Sequence, residues 1–209
     1  VSDKKDKNLA TRRDILLGTN QYPNFLEKAS DEITKEIVSR EIPTLMGQPC
    51  GCTCAQGDVE PLRPYRAAQA FEALRLATDR SGKEPKAFML TFGNLAMCRA
   101  RAQFSSNFFA VAGIRIIDNN RFASVEEGVK AALESGAEIV VACSSDDEYA
   151  DGAPRIAELI GDKAIVVVAG EPACKDALTA AGITNFISVK SNVLETPRGY
   201  QEKLGIKPL

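Results

Sequence analysis

Three groups of residues in this chain have the types and spacing to do chemistry. The first is Cys50-Gly51-Cys52-Thr53-Cys54, three thiols at i, i+2 and i+4. Structural zinc sites take four ligands, with paired cysteines usually two to four residues apart. Here a fourth ligand would have to come from a partner or from a carboxylate such as Asp58 or Glu60. The expectation is therefore an exposed loop with incidental thiols and no bound metal, with a metal site as the alternative. The second group is Gly93-Asn94-Leu95-Ala96-Met97-Cys98, and the third is Ser144-Ser145-Asp146-Asp147-Glu148 with Asp151 just beyond. No histidine stands anywhere among the 209 residues. That removes the commonest general base and the commonest metal ligand.

The second and third groups sit where an alternating pattern of elements would place a ligand. From residue 86 onward, short apolar runs at 87–92, 114–117, 138–143, 164–168 and 183–189 read as strands. Helices over 99–112, 124–135, 149–160, 172–182 and 192–204 separate or follow them, several stopped by glycine. Ser124 and Glu127 form a capping-box pattern at the start of one. Continuous apolar strands alternating with helices imply a parallel sheet covered on both faces. Right-handed crossovers then make an α/β, flavodoxin-like (Rossmann-like) five-stranded sheet of order 2-1-3-4-5. Its ligand crevice lies at the carboxyl ends of the first and third strands, so the loops at 93–98, 144–148 and 169–171 are the ones to inspect.

Residues 1–85 read as a helical linker region before the domain at 86–209, with helices expected at 25–40 and 62–80. Hydrophobic residues at 44% and charged residues at 26% describe an ordinary globular chain. A net charge of −2 gives no bulk attraction to nucleic acid or to an anionic membrane. No apolar run reaches the roughly 18–20 residues that a membrane span needs. The mixed-charge start is no signal peptide, so the cytoplasm and reduced thiols are expected. A start at Val1 rather than Met fits a fragment or a processed subunit.

The loops exclude several chemistries. Residues 93–98 lack the glycine-rich dinucleotide fingerprint and the Gly-Lys-Ser/Thr of a phosphate loop. The acids at 146–148 would repel a phosphate, and they read as caps for the following helix. A phosphoacceptor receiver would need an acidic pair after the first strand, where the chain has Gly93-Asn94, although Asp146 and Lys190 are suitably placed.

Residues 86–205 resemble the cobalamin-binding domain of methylmalonyl-CoA mutases. Residues 8–25, with Leu17-Gly18-Thr19-Asn20-Gln21-Tyr22-Pro23-Asn24, resemble the segment that closes the substrate barrel in that family, and Pro64-Tyr65-Arg66-Ala67-Ala68 the linker helix between the two. The family carries Asp-x-His-x-x-Gly after the first strand. The histidine ligates cobalt, the aspartate orients it, and the glycine makes room for the cofactor's nucleotide tail. Alignment on Phe109-Ala110-Val111-Ala112-Gly113 puts Ala96 at the aspartate, Cys98 at the histidine and Arg101 at the glycine. The family's Ser-x-Leu after the third strand becomes Ser144-Ser145-Asp146, and its Gly-Gly after the fourth becomes Ala169-Gly170. The resemblance therefore implies a degenerate domain: Ala96, Cys98, Arg101, Ser144, Asp146 and Gly170 mark cofactor positions without the cofactor. Heterodimeric members of the family pair such a non-catalytic chain with a large catalytic subunit. That subunit carries adenosylcobalamin and isomerises methylmalonyl-CoA and succinyl-CoA. An assembly role is the implied function, with weak adenosylcobalamin binding, base-on or through Cys98, as the alternative. An independent flavodoxin-type ligand or signalling domain is the third reading.

Overall fold

The computed structural model describes residues 2–28 and 66–208. Five parallel strands form one sheet: β1 (Lys86–Thr91), β2 (Arg115–Ile117), β3 (Ile139–Cys143), β4 (Ile165–Ala169) and β5 (Phe186–Ile187). Their order is β2-β1-β3-β4-β5, the flavodoxin-like order expected from the sequence. The register sets Met89 beside Val141, Val141 beside Val167, and Ala169 beside Ile187. The described helices are α1 (Ser2–Ala10), α2 (Gln69–Arg80), α3 (Leu95–Ala110), α4 (Val125–Ser135), α5 (Tyr149–Ile160), α6 (Lys175–Ala180) and α7 (Glu195–Lys203). None of them is long and apolar enough to cross a membrane.

The central strands are apolar at nearly every position because both faces of the sheet are covered. Successive side chains point to opposite faces. Ala87, Met89, Ile139, Val141 and Val167 pack with Leu74 of α2, Phe108 and Phe109 of α3, and Tyr200 of α7. Phe88, Leu90, Val140, Ala142 and Val168 pack with Val129 of α4, Ile156 and Ile160 of α5, and Leu178 of α6. Each fully buried aliphatic or aromatic side chain contributes about 1.5–3 kcal/mol, so two such layers dominate the stability.

Local signals explain most element ends. Ser124 caps α4, its hydroxyl oxygen accepting the Glu127 N–H at 3.2 Å, while Glu127 reaches back to the Ala123 N–H at 3.1 Å. Gly136 ends the helix at φ +64°, a conformation that costs glycine nothing. Other boundaries differ from the sequence reading. Helix α3 begins at Leu95, not at residue 99, because the Asn94 side chain accepts the Met97 N–H at 3.1 Å and caps it. Residues 95–98 are thus its first turn and not loop. Strand β5 is two residues long where 183–189 was expected, since it pairs only with the end of β4. Helices α6 and α7 are shorter than the 172–182 and 192–204 expected. The expected helix over 25–40 lies mostly outside the described residues. Residues 25 and 26 form a turn, with Asn24 Oδ1 accepting the Leu26 N–H at 3.0 Å. Residues 62–65 of the expected linker helix also lie outside, as do Cys50, Cys52 and Cys54.

Helix α1 and the turn after it had no periodic signal in the sequence, yet they pack on the domain. Leu9 joins the core beside Phe108, and the Val193 N–H donates to the Ala10 carbonyl at 2.9 Å. Arg12 lies over the rings of Phe104 and Phe108, 5.5 and 5.7 Å from their centroids. Asn20, fully buried, ties the turn together: its amide donates to Leu9 O at 3.0 Å and Asp14 O at 2.9 Å, and its oxygen accepts the Leu16 N–H at 2.8 Å. Helix α2 is held by a second buried network, in which Gln201 Nε2 donates to Leu74 O and Thr78 Oγ at 2.7 Å each. Thr78 in turn donates to Ala112 O at 2.6 Å.

Asn20→Ala removes three hydrogen bonds to the backbone at once. It should lower unfolding free energy by about 1–3 kcal/mol in urea titrations. Amide hydrogen exchange should quicken at Leu16 and Val193 and stay unchanged in β1 and β3. Unchanged exchange at Leu16 would contradict this account of the turn.

Candidate functional site

The crevice of this topology lies between the loops that leave β1 and β3, and both loops are described in full. Gly93, the first residue after the β1 run, has φ +70°. A Cβ built there would stand 2.1 Å from Glu148 Oε2, so the carboxylate of Glu148 is seated directly against the glycine. Glu148 occupies the cap position of α5 but makes no side-chain bond to that helix. This corrects the expectation that the acids at 146–148 simply cap the helix, at least for Glu148.

The carboxylate instead spans the crevice. It accepts the Asn94 N–H of the first loop at 3.1 Å through each oxygen. From the third loop it accepts the Ser145 hydroxyl at 2.6 Å and the Ser145 N–H at 3.3 Å. The Ser144 hydroxyl stands between this carboxylate and the Phe92 carbonyl, with its single proton shared between the two acceptors. Hydrogen bonds from Ser144 and then Ser145 hold the Glu148 pKa down, to about 2. Donors that favour the charged form produce this direction of shift. A carboxylate so weakly basic is a poor proton acceptor near neutral pH and a good structural strut.

Tyr149, next in sequence, braces the same loop from below. Its hydroxyl accepts the Ser144 N–H at 2.9 Å and donates to Ala169 O at 2.7 Å, tying the end of β3 to the end of β4. Burial pushes its phenol pKa up, so it stays protonated.

The remaining crevice is bridged by charge. Arg101 on α3 pairs with Asp146 at 2.9 Å. Both crowd Gly170: a Cβ there would lie 3.1 Å from Asp146 Oδ1 and 3.2 Å from Arg101 Cζ. Arg101 of α3 and Asp146 and Gly170 of two loops are thus brought together. Lys190 pairs with Glu171 at 2.8 Å, so the Asp146 and Lys190 of the receiver reading each have another partner.

Cys98 lies apart from these groups. It is fully buried, its thiol donates to Leu95 O at 3.3 Å, and burial foremost raises its pKa. Ala96 is exposed on the first turn of α3 and offers only a methyl group. Ser144 is fully buried and belongs to the Glu148 network. Among the described residues, no group of three or more histidine, cysteine or acidic side chains is placed to hold a metal ion. Sequence reasoning read Glu148 as a helix cap and missed its place across the crevice. The signal was present, two serines three and four residues before a carboxylate and a glycine opposite, but it needs the β1–β3 pairing to be read.

Because the folded pKa of Glu148 lies below its ordinary value of 4.5, its contribution to stability is complete above about pH 5. It is lost as pH falls from 4.5 toward 2. Glu148→Gln should flatten the stability–pH curve in that window and cost about 1 kcal/mol at pH 7, allowing for solvent screening. Urea titrations from pH 7 to pH 3 would show it; an unchanged slope would contradict the strut.

No protein-family model matches the chain. It is 54% identical over 204 residues to the methylmalonyl-CoA mutase small subunit of Porphyromonas gingivalis, covering 98% of this chain and 31% of that protein. It is 29% identical over 161 residues to the methylmalonyl-CoA mutase small subunit of Streptomyces virginiae, covering 75% of this chain and 23% of that one. With the probable methylmalonyl-CoA mutase small subunit of Mycobacterium tuberculosis it shares 28% identity over 209 residues, 97% of this chain and 30% of that protein. The chain therefore spans about a third or less of the length of these curated relatives. By sequence, the chain is similar to that portion of the methylmalonyl-CoA mutase small subunits.

Proposed function

We propose that this chain is the carboxyl-terminal part of the non-catalytic small subunit of a heterodimeric methylmalonyl-CoA mutase. Its partner is then a large subunit that carries adenosylcobalamin and interconverts methylmalonyl-CoA and succinyl-CoA. In this reading the chain acts in assembly and stability, in the cytoplasm, and holds no cobalamin itself. The small-subunit relatives support the assignment. The observation that carries the loss of cofactor binding is that the crevice is filled by the chain's own charged groups.

The residues present do not fit the cofactor. A lower cobalt ligand needs a lone pair on an exposed, organised atom. Cys98 is buried, kept protonated by burial and turned to Leu95 O, and Ala96 has no polar atom to orient a ligand. A nucleotide tail needs an empty groove, and the Arg101–Asp146 pair stands over Gly170. No catalytic step is therefore routed through cobalamin here. Glu148, held ionised in the crevice, adds a charge that a neutral ring system would have to displace or bury.

Two measurements test the two halves of this reading. Titration of the chain with adenosylcobalamin, followed in the visible, should show no saturable spectral change at micromolar concentration. Saturable change would overturn the loss of cofactor binding and restore the weak-binding alternative. Co-expression with a large mutase subunit should give a complex that survives gel filtration. Separate elution would overturn the partner assignment and favour an independent flavodoxin-type domain.

A further inference from the structure

We propose that the crevice between the β1 and β3 loops is a carboxylate-binding site whose ligand is supplied in cis by Glu148, and that a small monocarboxylate takes that seat when the side chain is withdrawn. The inference rests on the reading of this crevice as closed by the chain itself, and it names what closes it as an internal ligand.

The donors come from two loops. The Asn94 N–H comes from the β1 loop and the Ser145 N–H and hydroxyl from the β3 loop, more than fifty residues away in sequence. Ser144 is fully buried and Ser145 is 9% exposed, so their hydroxyls are fixed and not solvated rotors. The sheet sets their spacing: the Phe92 N–H donates to Cys143 O at 3.2 Å, joining the two loops at their roots. The phenol of Tyr149 fixes the Ser144 amide at 2.9 Å. Gly93 supplies the floor of the seat, since any side chain there would occupy the place of the oxygens. One carboxylate oxygen meets only the Asn94 N–H, while the other also meets the Ser144 and Ser145 groups. A flat, two-oxygen anion matches this arrangement.

Glu148 holds the seat by proximity, because a tethered group outcompetes free ions at the millimolar effective concentrations that short links provide. The site therefore opens to external carboxylate only when the Glu148 carboxylate leaves the seat. Removing the carboxylate leaves the donors in place without an acceptor.

The test is thermal unfolding of Glu148→Ala at pH 7, with sodium acetate or formate compared against sodium chloride and sodium sulfate at equal ionic strength. Acetate and formate should raise the variant's Tm saturably and recover at least half of the loss. Sulfate and chloride should not, and neither the wild-type chain nor Glu148→Gln, whose amide oxygen stays in the seat, should respond. The amide resonances of Asn94 and Ser145 should shift along the same acetate curve. If Glu148→Ala does not fold in chloride, recovery of its circular dichroism in acetate is the same test. Absence of any acetate-specific effect, or an equal effect on the wild-type chain, overturns the proposal. That result would leave the closed-crevice reading intact, because that reading fails instead on cobalamin binding by the wild-type chain.

Discussion

One carboxylate decides what this domain's crevice can be. A doubly wound sheet presents its loops in a row at the carboxyl ends of the strands, and the gap between the first and third is where ligands of the fold sit. Here Glu148 crosses that gap and gathers donors from both sides. It does so only because Gly93 has no side chain and because Ser144 and Ser145 precede it by one helical turn. The geometry is mutually dependent: the glycine admits the carboxylate, the carboxylate orders the serines, and Tyr149 fixes the loop that carries them.

The second constraint is that the crevice's other charges come as a pair. Arg101 alone would place a cation beside the buried backbone of Gly170, and Asp146 alone an anion. At 2.9 Å they neutralise each other, and their half-exposed setting keeps the desolvation cost modest. Loss of either Arg101 or Asp146 alone would leave an uncompensated charge. The pair closes this part of the crevice without disturbing the sheet, since Met89, Val141 and Val167 stay buried in the core behind it.

Much of this was legible from residue order. Apolar runs without alternation at 87–92 and 138–143 required a sheet buried on both faces, and glycines such as Gly136 and Gly161 marked helix ends. Crossover handedness then left few topologies. The resemblance points to Arg101, Asp146 and Gly170, but not to their convergence, which depends on α3 and two loops meeting in space. Glu148 was hidden by its own position: at a helix start an acid reads as a dipole partner, and only strand pairing reveals that it faces the other way. The α1 helix and the Asn20 turn were missed for a different reason. Their burial rests on a few contacts from Leu9, Arg12 and Asn20, with no periodic stripe to announce them. The shortness of β5 reflects an edge with a neighbour on one side only.

Titration of the Glu148 side-chain carboxyl by carbon-13 NMR in the intact chain tests the closed crevice most directly. A carboxylate held by the two loops should protonate at about pH 2, and the amide resonances of Asn94 and Ser145 should move with it. Protonation near the ordinary value of 4.5, with those amides indifferent, would mean that Glu148 points to solvent and the crevice is open.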